Sequence, residues 1–255
     1  MLMSIVIPAF NEAKRISESL CALESFAKKS KNKISLEVIV VCDGCTDNTE
    51  KVVQNSSFAK NNLLHVISYK ENKGKGYATK EGILSSSGEI VGFMDADAST
   101  DISELHSVYE YLFKNKVDIF IGSRRMPNSE LHPQQPLYRR CLGELFSLVT
   151  RLLLGIPCKD TQCGFKFFRG DLGRSLFTKM QTKGFAFDVE ILHNAFLQGY
   201  EIKEHGVKWH NNSDSRVSPF IDGFRMLQSI SSLSINTLYL RIRNLNILKG
   251  RKGVL

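Results

Sequence analysis

The stretch Glu89-Ile-Val-Gly-Phe-Met-Asp-Ala-Asp97 joins a short apolar run to two acidic residues. The run Ile90–Met94 predicts a buried strand, because it is short, continuous and followed by polar residues. In an open α/β sheet, ligands bind beyond the carboxyl ends of the strands, so we expect Asp95 and Asp97 to point into a site. Carboxylates at such a place suit Mg²⁺ or Mn²⁺ together with substrate phosphates. An isolated Asp-x-Asp is also typical of helix capping, so the pair alone leaves both interpretations open.

Length and composition fit one large α/β domain or two small ones. The chain has 255 residues, of which 42% are hydrophobic, and it can therefore bury a full core. Its six cysteines follow no signal peptide and lack the dense spacing of a disulfide-rich domain, so we expect reduced thiols in a cytosolic setting. The motif Cys42-x-x-Cys45 has no second pair at zinc spacing, which argues against a structural zinc site.

The net charge of +8 is concentrated in two basic blocks. Residues 119–187 carry 11 Lys or Arg against 4 Asp or Glu, and residues 223–255 carry 6 against none. Nucleic acid, an anionic membrane surface or a phosphorylated substrate would complement such blocks, and a merely solvated basic face is the alternative. The blocks lack the interleaved aromatic residues of nucleic-acid motifs, so no nucleic-acid partner is expected.

Strand and helix signals alternate along the first half of the chain. Apolar runs near residues 3–10, 36–42, 63–67 and 90–94 each lead through a polar loop to a helical pattern. This alternation predicts an α/β fold with a mostly parallel central sheet and right-handed crossovers. After a further strand that ends at Arg125 the alternation stops, and a substrate-specific part is expected to begin. There the pattern predicts a loop over 126–136, an amphipathic helix over 138–154 and a last strand over 202–209.

We predict one domain over residues 1–215 and a tail over residues 216–255. Apolar residues recur through the tail, but Asp222, Arg225, Arg241 and Arg243 interrupt them, so it lacks the run of about 20 apolar residues that spans a bilayer. The basic, amphipathic pattern predicts helices that lie in a membrane interface. Packing of the same faces onto the domain, or onto a second copy in a homo-oligomer, is the alternative.

Five motifs follow one another along the chain: Ile5-Val-Ile-Pro-Ala-Phe-Asn-Glu12, Val41-Cys-Asp-Gly-Cys-Thr-Asp47, Asn72-Lys-Gly-Lys-Gly76, Met94-Asp-Ala-Asp97 and Gly122-Ser-Arg124. In this order they resemble the inverting family 2 glycosyltransferases of the GT-A fold. The stretches Asp160–Lys166 and Phe187–Glu190, with Arg241-Ile-Arg243 in the tail, are similar to the dolichyl-phosphate glucosyltransferases and their polyprenyl-phosphate relatives. The resemblance covers nearly the whole chain, and the membrane anchor at the amino terminus of eukaryotic members is expected to be absent.

The resemblance implies a Rossmann-like, nucleotide-sugar-binding GT-A domain and assigns roles to its residues. The donor nucleotide would lie against Pro8, Ala9, Asn11, Glu12, Asp43, Lys73, Lys75, Asp95 and Ala96. Asp95 and Asp97 would hold Mg²⁺ or Mn²⁺ on the donor diphosphate, where the metal stabilises the leaving group. The acceptor phosphate would meet Arg124, Arg139, Lys166 and Arg216. Family members usually have two adjacent acids where this chain has Cys42 and Asp43, so the contact with the base stays open.

The chemical class of the acceptor decides whether a general base is needed. A sugar hydroxyl must lose a proton as it attacks, and Asp188 would then be catalytic beside Asp97 and Arg124. A phosphate monoester is already anionic near neutral pH, since its second pKa is about 6. With that acceptor, Asp188 and Glu190 would instead order Lys166, Arg124 or helix ends.

The resemblance predicts an inverting, metal-dependent hexosyltransferase. It would move glucose from UDP-glucose onto a polyprenyl or dolichyl phosphate, as a peripheral protein on the cytoplasmic side of a membrane. A mannosyltransferase using GDP-mannose and a polysaccharide or protein glycosyltransferase of the same fold are the enzymatic alternatives. A catalytically inactive nucleotide-binding module at the membrane is an alternative of another class, motivated by Cys42 and Cys45. The intact Asp95, Asp97 and Arg124 argue against it.

Overall fold

A seven-stranded sheet forms the centre of the computed structural model, which describes residues 1–30, 33–59, 63–133, 137–210 and 221–251, with side chains apart from those of 137–141, 221 and 239–251. The strands are β1 (Leu2–Ala9), β2 (Ser35–Asp43), β3 (Leu64–Tyr69), β4 (Ile90–Met94), β5 (Ile119–Ser123), β6 (Glu130–His132), β7 (Phe165–Arg169), β8 (Ile202–Gly206) and β9 (Lys208–His210). The α-helices are α1 (Ile16–Ser30), α2 (Thr49–Gln54), α3 (Lys75–Leu84), α4 (Leu105–Val108), α5 (Leu137–Leu154), α6 (Gly170–Lys179), α7 (Phe187–Leu197) and α8 (Ile221–Arg251), and a 3-10 turn over Ile102–Glu104 and a π-helical segment over Tyr109–Lys114 flank α4.

The order of strands in the main sheet is β3-β2-β1-β4-β7-β5-β8. Strands β1 to β4 pair in parallel, as do β5 and β8, while β7 runs antiparallel to both of its neighbours. Strands β4 and β5 are buried along their whole length, as in sheets covered by helices on both faces. The predicted α/β fold with a mostly parallel sheet is confirmed.

The last predicted strand differs from the structure. The chain leaves the main sheet after Gly206, and a fully buried Val207 separates β8 from β9. Strand β9 pairs with β6, a strand of three residues inside the stretch 126–136 that was predicted to be a loop. The sequence pattern failed here because a strand this short carries too few residues to show an alternation.

The tail contains one long helix, α8, where sequence analysis predicted several helices. Its Ile230 is fully buried, and its Ser234 hydroxyl donates to the carbonyl oxygen of Leu153 at 3.2 Å. Its Thr237 hydroxyl lies 2.8 Å from the Nε2 atom of His193 on α7. Part of α8 therefore packs on the domain. The predicted boundary at residues 215 and 216 lies outside the described residues. Among the helices described, none combines the length and the apolar character that crossing a membrane requires.

Candidate active site

One open cleft lies at the carboxyl ends of β1, β2, β4 and β5. The residues that follow these strands line it, including Asp43, Asp95, Asp97 and Arg124, and so do residues of α5 and of the first part of α8. The parallel arrangement of the strands explains this convergence, because their carboxyl ends meet at one edge of the sheet. Pro8, Ala9, Glu12, Lys75, Ala96 and Asp188 also border the cleft.

Asp95 and Asp97 follow β4 directly. The backbone of Asp95 donates to the carbonyl oxygen of Gly164 at 3.1 Å, and a Cβ atom on Gly164 would lie only 2.0 Å from Asp95 Oδ2. Asp97 Oδ1 accepts from the backbone of Ser99 at 3.1 Å. No cluster of three or more acidic, histidine or cysteine groups that could hold a metal ion occurs within the described residues. Two carboxylate donors that leave positions for phosphate oxygens and water fit Mg²⁺ or Mn²⁺.

A lysine neutralises the first of these carboxylates. Lys75 Nζ lies 2.6 Å from Asp95 Oδ1. Burial lowers the pKa of Lys75, but the nearby Asp95 and Asp188 outweigh it, and the pKa lies above its usual value. Lys75 is therefore a charged group at the place where the resemblance puts the diphosphate.

Asp43 holds the turn that precedes α3. Its carboxylate oxygens accept from the backbone N–H groups of Lys73 at 2.7 Å and Gly74 at 2.9 Å, and Gly74 has a φ of 99°, which favours glycine. The ammonium group of Lys73 lies outside the cleft lining, 5.1 Å from the ring centre of Tyr69 and 4.7 Å from that of Tyr77. Asp43 thus shapes the loop, and Lys75 rather than Lys73 faces the cleft.

Asn11 ties the loop after β1 to the loop after β2. Its Oδ1 atom accepts from the backbone of Thr46 at 2.7 Å and of Asp47 at 3.2 Å. Its own N–H lies 3.4 Å from the Sγ atom of Cys45, and that thiol lies 3.3 Å from the carbonyl oxygen of Ala9. A hydrogen bond between the two thiols raises the pKa of the buried Cys42 and lowers that of Cys45 to about 7.

Arg124 is fixed by a fully buried carboxylate. Its Nε and Nη2 atoms donate to the two oxygens of Asp160 at 2.8 and 2.9 Å, and the guanidinium lies 5.5 Å from the ring centre of Trp209. The backbone N–H of Asp160 donates in turn to Glu204 at 2.8 Å. Burial raises the pKa of Asp160, but the charge and hydrogen bonds of Arg124 outweigh this effect. The pKa of Asp160 therefore lies well below its usual range. Arg124 is therefore presented to the cleft in a rigid orientation.

Asp188 forms a buried ion pair with Lys166. Lys166 Nζ also donates to the carbonyl oxygen of Cys163 at 2.6 Å, and the side chain has no exposed surface. Burial raises the pKa of Asp188, and Lys166 and Lys75 oppose this only in part. Glu190 accepts from the backbone of Gln181 and Thr182, at 2.9 and 2.8 Å, and lies outside the cleft lining. Of these three groups, only Asp188 borders the cleft.

The comparisons with known proteins agree with this geometry. The family model described as Glycosyl transferase family 2 matches residues 4–177. The chain belongs to this family. It is 33% identical over 238 residues to a dolichyl-phosphate beta-glucosyltransferase of Dictyostelium discoideum, covering 89% of this chain and 72% of the relative. It is 32% identical over 246 residues to the dolichyl-phosphate beta-glucosyltransferase of Saccharomyces cerevisiae, covering 90% and 73%.

The fold of this glycosyltransferase also occurs among solved structures. Glucosyl-3-phosphoglycerate synthase from Mycobacterium tuberculosis, solved in complex with Mn²⁺, UDP and phosphoglyceric acid, superposes with a TM-score of 0.62 at 18% sequence identity. The match covers 94% of this chain and 78% of that one. The predicted resemblance to GT-A enzymes of family 2 is confirmed.

Two predicted acceptor residues have no described side chain in the glycosyltransferase. Arg139 lies in the first turn of α5, where only the backbone is described, and Arg216 lies outside the described residues. Other cations line the cleft and were not singled out as site residues: Arg15, Arg125, Arg151, Lys159, Lys183 and Arg225. Apart from Arg15, these residues lie in the basic block at 119–187 or in the basic tail.

Arg15 follows the first motif of the family by three residues. Its Nε and Nη2 atoms contact the two carboxylate oxygens of Glu12 at 2.7 and 2.6 Å, and its Nη1 atom lies 3.7 Å from Asp97 Oδ2. The spacing of Glu12 and Arg15 at i and i+3 was a local signal for an ion pair. Nothing in the local sequence indicated the contact with Asp97.

Proposed function

We propose that this glycosyltransferase moves glucose from UDP-glucose onto a polyprenyl phosphate such as dolichyl phosphate, with inversion and with Mg²⁺ or Mn²⁺ as cofactor. The observation that carries the proposal is the set of residues that line this one cleft from end to end. Acidic residues and Lys75 lie beside β4, the fixed Arg124 follows β5, and exposed apolar residues of α5 and α8 border the same cleft. A nucleotide diphosphate, a second phosphate and a lipid chain match these three parts.

The donor half of the cleft is suited to a nucleotide diphosphate. Pro8 and Ala9 border the space for the nucleoside, and Asp43 fixes the turn that leads to Lys75. Asp95 and Asp97 would hold the metal, which, when bound, supplies Lewis-acid stabilisation of the leaving diphosphate. A solved structure of the same fold contains Mn²⁺ and UDP, which supports the use of a divalent metal with a nucleotide.

The acceptor half is suited to a phosphate monoester. Arg124 keeps a fixed orientation on Asp160, and Arg125 and Lys159 border the same part of the cleft. A phosphate oxygen attacks without losing a proton, because it is already anionic near neutral pH. Asp188 is engaged by Lys166, which supports an ordering role for its carboxylate over that of a general base.

A lipid chain can lie along α5 and α8. Leu142, Leu145, Leu148, Phe224 and Leu227 border the cleft and are between 38% and 63% exposed. Together with the basic tail, this surface supports peripheral attachment to a membrane. We place the enzyme on the cytoplasmic side, and the free thiols of Cys21, Cys42, Cys45, Cys158 and Cys163 agree with a reducing compartment. The names of the relatives favour glucose over mannose.

A transfer assay tests the proposal. Purified protein, Mn²⁺ or Mg²⁺ and a short polyprenyl phosphate are incubated with UDP-glucose, GDP-mannose or UDP-N-acetylglucosamine, and lipid products are measured by mass spectrometry. We expect a hexosyl-phosphate lipid from UDP-glucose and none when the free polyprenol replaces its phosphate. Asp97→Asn should keep the fold and lose on the order of 100-fold or more in rate, because charge on the leaving group is no longer stabilised. Preference for GDP-mannose, or full activity of Asp97→Asn with a chelator present, would contradict the proposal.

A further inference from the structure

Each of the two carboxylates assigned to the metal already faces a cation of the chain. Lys75 Nζ lies 2.6 Å from Asp95 Oδ1, and Arg15 Nη1 lies 3.7 Å from Asp97 Oδ2. With Glu12, whose carboxylate contacts Arg15 at 2.6 Å, the formal charges of these five groups sum to −1. A bare divalent cation that approaches the carboxylates therefore meets two positive groups within a few ångströms and little net negative charge.

The two cations differ in how they are held. Arg15 donates two hydrogen bonds to the carboxylate of Glu12, and its side chain is only 16% exposed. Glu12 is itself anchored, because its backbone N–H donates to the Thr49 hydroxyl at 2.7 Å. Lys75 has a flexible stem at the start of α3 and its ammonium contacts Asp95, so it can exchange that carboxylate for another anion.

A nucleoside diphosphate changes the electrostatics of this part of the cleft. Its diphosphate brings negative charge of its own, to which both the metal and Lys75 can bind. Once Lys75 turns from Asp95 to a phosphate oxygen, Asp95 becomes available to the metal. Arg15 stays on Glu12 and continues to offset the charge of Asp97. The pair of carboxylates then binds a metal well only when phosphate oxygens complete its ligands.

We propose that Arg15 is a positioning residue that keeps the metal affinity of Asp95 and Asp97 low until the donor diphosphate is present, so that metal and donor bind as a unit. This inference rests on the proposed function, in which these two carboxylates hold the metal. It adds a role for a residue outside the Asp-x-Asp motif, and it predicts a strong mutual dependence of metal and nucleotide binding.

Binding of Mn²⁺, followed by the paramagnetic resonance of free Mn²⁺, tests the inference without any turnover. For the unaltered protein we expect weak binding of Mn²⁺ alone and binding at least about tenfold tighter with saturating UDP, within the usual range of coupling between two sites. By reciprocity, Mn²⁺ should strengthen UDP binding by the same factor in calorimetry. Arg15→Gln should bind Mn²⁺ alone several-fold more tightly, and its coupling with UDP should fall.

Two further variants separate charge from structure. Arg15→Lys keeps the positive charge and should restore weak binding of Mn²⁺ alone. Lys14→Gln removes the same charge from an exposed neighbour and should behave as the unaltered protein. The coupling measured on the unaltered protein tests the inference even if Arg15→Gln fails to fold.

The outcomes distinguish this inference from the proposed function. Equal Mn²⁺ affinity with and without UDP, or an Arg15→Gln protein that is folded and unchanged, would overturn the inference and leave the metal assignment intact. Failure of the unaltered protein to bind Mn²⁺ while UDP is bound would overturn both.

Discussion

At the scale of single residues, the lowered pKa of the Cys45 thiol predicts how its reactivity depends on pH. The hydrogen bond from Cys42 stabilises its thiolate, burial opposes this, and the backbone N–H of Asn11 adds a second hydrogen bond, so its pKa is about 7. Burial raises the pKa of Cys158 and of Cys163 to about 12. Because the thiolate is the reactive form, alkylation of Cys45 by iodoacetamide should increase with pH around a midpoint of about 7. Peptide mass spectrometry between pH 5 and 9 measures this, with Cys158 and Cys163 unmodified in the folded protein.

Cys42→Ala provides the control for that measurement. Without the hydrogen bond from Cys42, the midpoint for Cys45 should move up towards the usual thiol value of about 8.5. A midpoint already in that range in the unaltered protein would show that the two thiols do not interact.

The buried carboxylate of Asp160 gives a prediction of stability. Asp160→Asn leaves the guanidinium of Arg124 without its counter-charge, and breaking a buried pair in this way costs about 3 kcal/mol of unfolding free energy. Urea unfolding measures the loss. Asp171→Asn is the matched control, because Asp171 pairs with Arg174 at a fully exposed position and its removal should change little.

The same pair predicts a dependence on pH. The pKa of Asp160 is lower in the folded protein than in the unfolded chain. Its contribution is therefore complete above the unfolded value of about 3.9 and is lost as the pH falls. The difference between the unaltered protein and Asp160→Asn should shrink below about pH 4. A difference that grows on acidification would contradict the assignment.

At the scale of elements, α5 and α8 both expose large apolar side chains. Leu145 is 57% and Leu152 75% exposed on α5, and Phe224 is 63% and Ile235 67% exposed on α8. The two helices pack together, so we predict that they enter a membrane surface as one unit. The protein should float with anionic liposomes, and Leu145→Gln with Leu152→Gln should reduce the bound fraction severalfold, because each change removes an inserting side chain.

Leu84→Gln is the matched control for this flotation experiment. Leu84 is 40% exposed at the end of α3 and does not border the cleft. Removal of the tail is a poorer test, because truncation would take away the fully buried Ile230 and expose the core beneath it. Unchanged flotation of the folded double variant, or an equal loss in Leu84→Gln, would place the membrane contact elsewhere.

At the scale of the whole molecule, the sequence was sufficient for the alternating half of the fold. Each parallel strand there carries a local apolar pattern, and the rules of crossover connections then restrict the topology. The place of β7 between β4 and β5 and its antiparallel direction were not predicted. Those properties depend on contacts between distant parts of the chain, which a local pattern does not contain.

For the site as well, the sequence predicted only the features that depend on local position in the chain. The motifs predicted that Asp95, Asp97 and Arg124 border a cleft, because each follows directly on a strand end. They did not predict the partners of the charged groups. Lys166 is matched with Asp188 in the interior and Lys73 lies over two tyrosine rings, and both arrangements require α7 and α3 to be placed first.

The contact between Gly164 and Asp95 limits how this enzyme can be rebuilt. Gly164 precedes β7, in the second half of the chain, yet its backbone accepts the Asp95 N–H and its missing side chain makes room for the carboxylate. The two halves of the chain are therefore not interchangeable modules. A chimera that takes its second half from another glycosyltransferase will keep Asp95 in place only if the graft retains a glycine at this position.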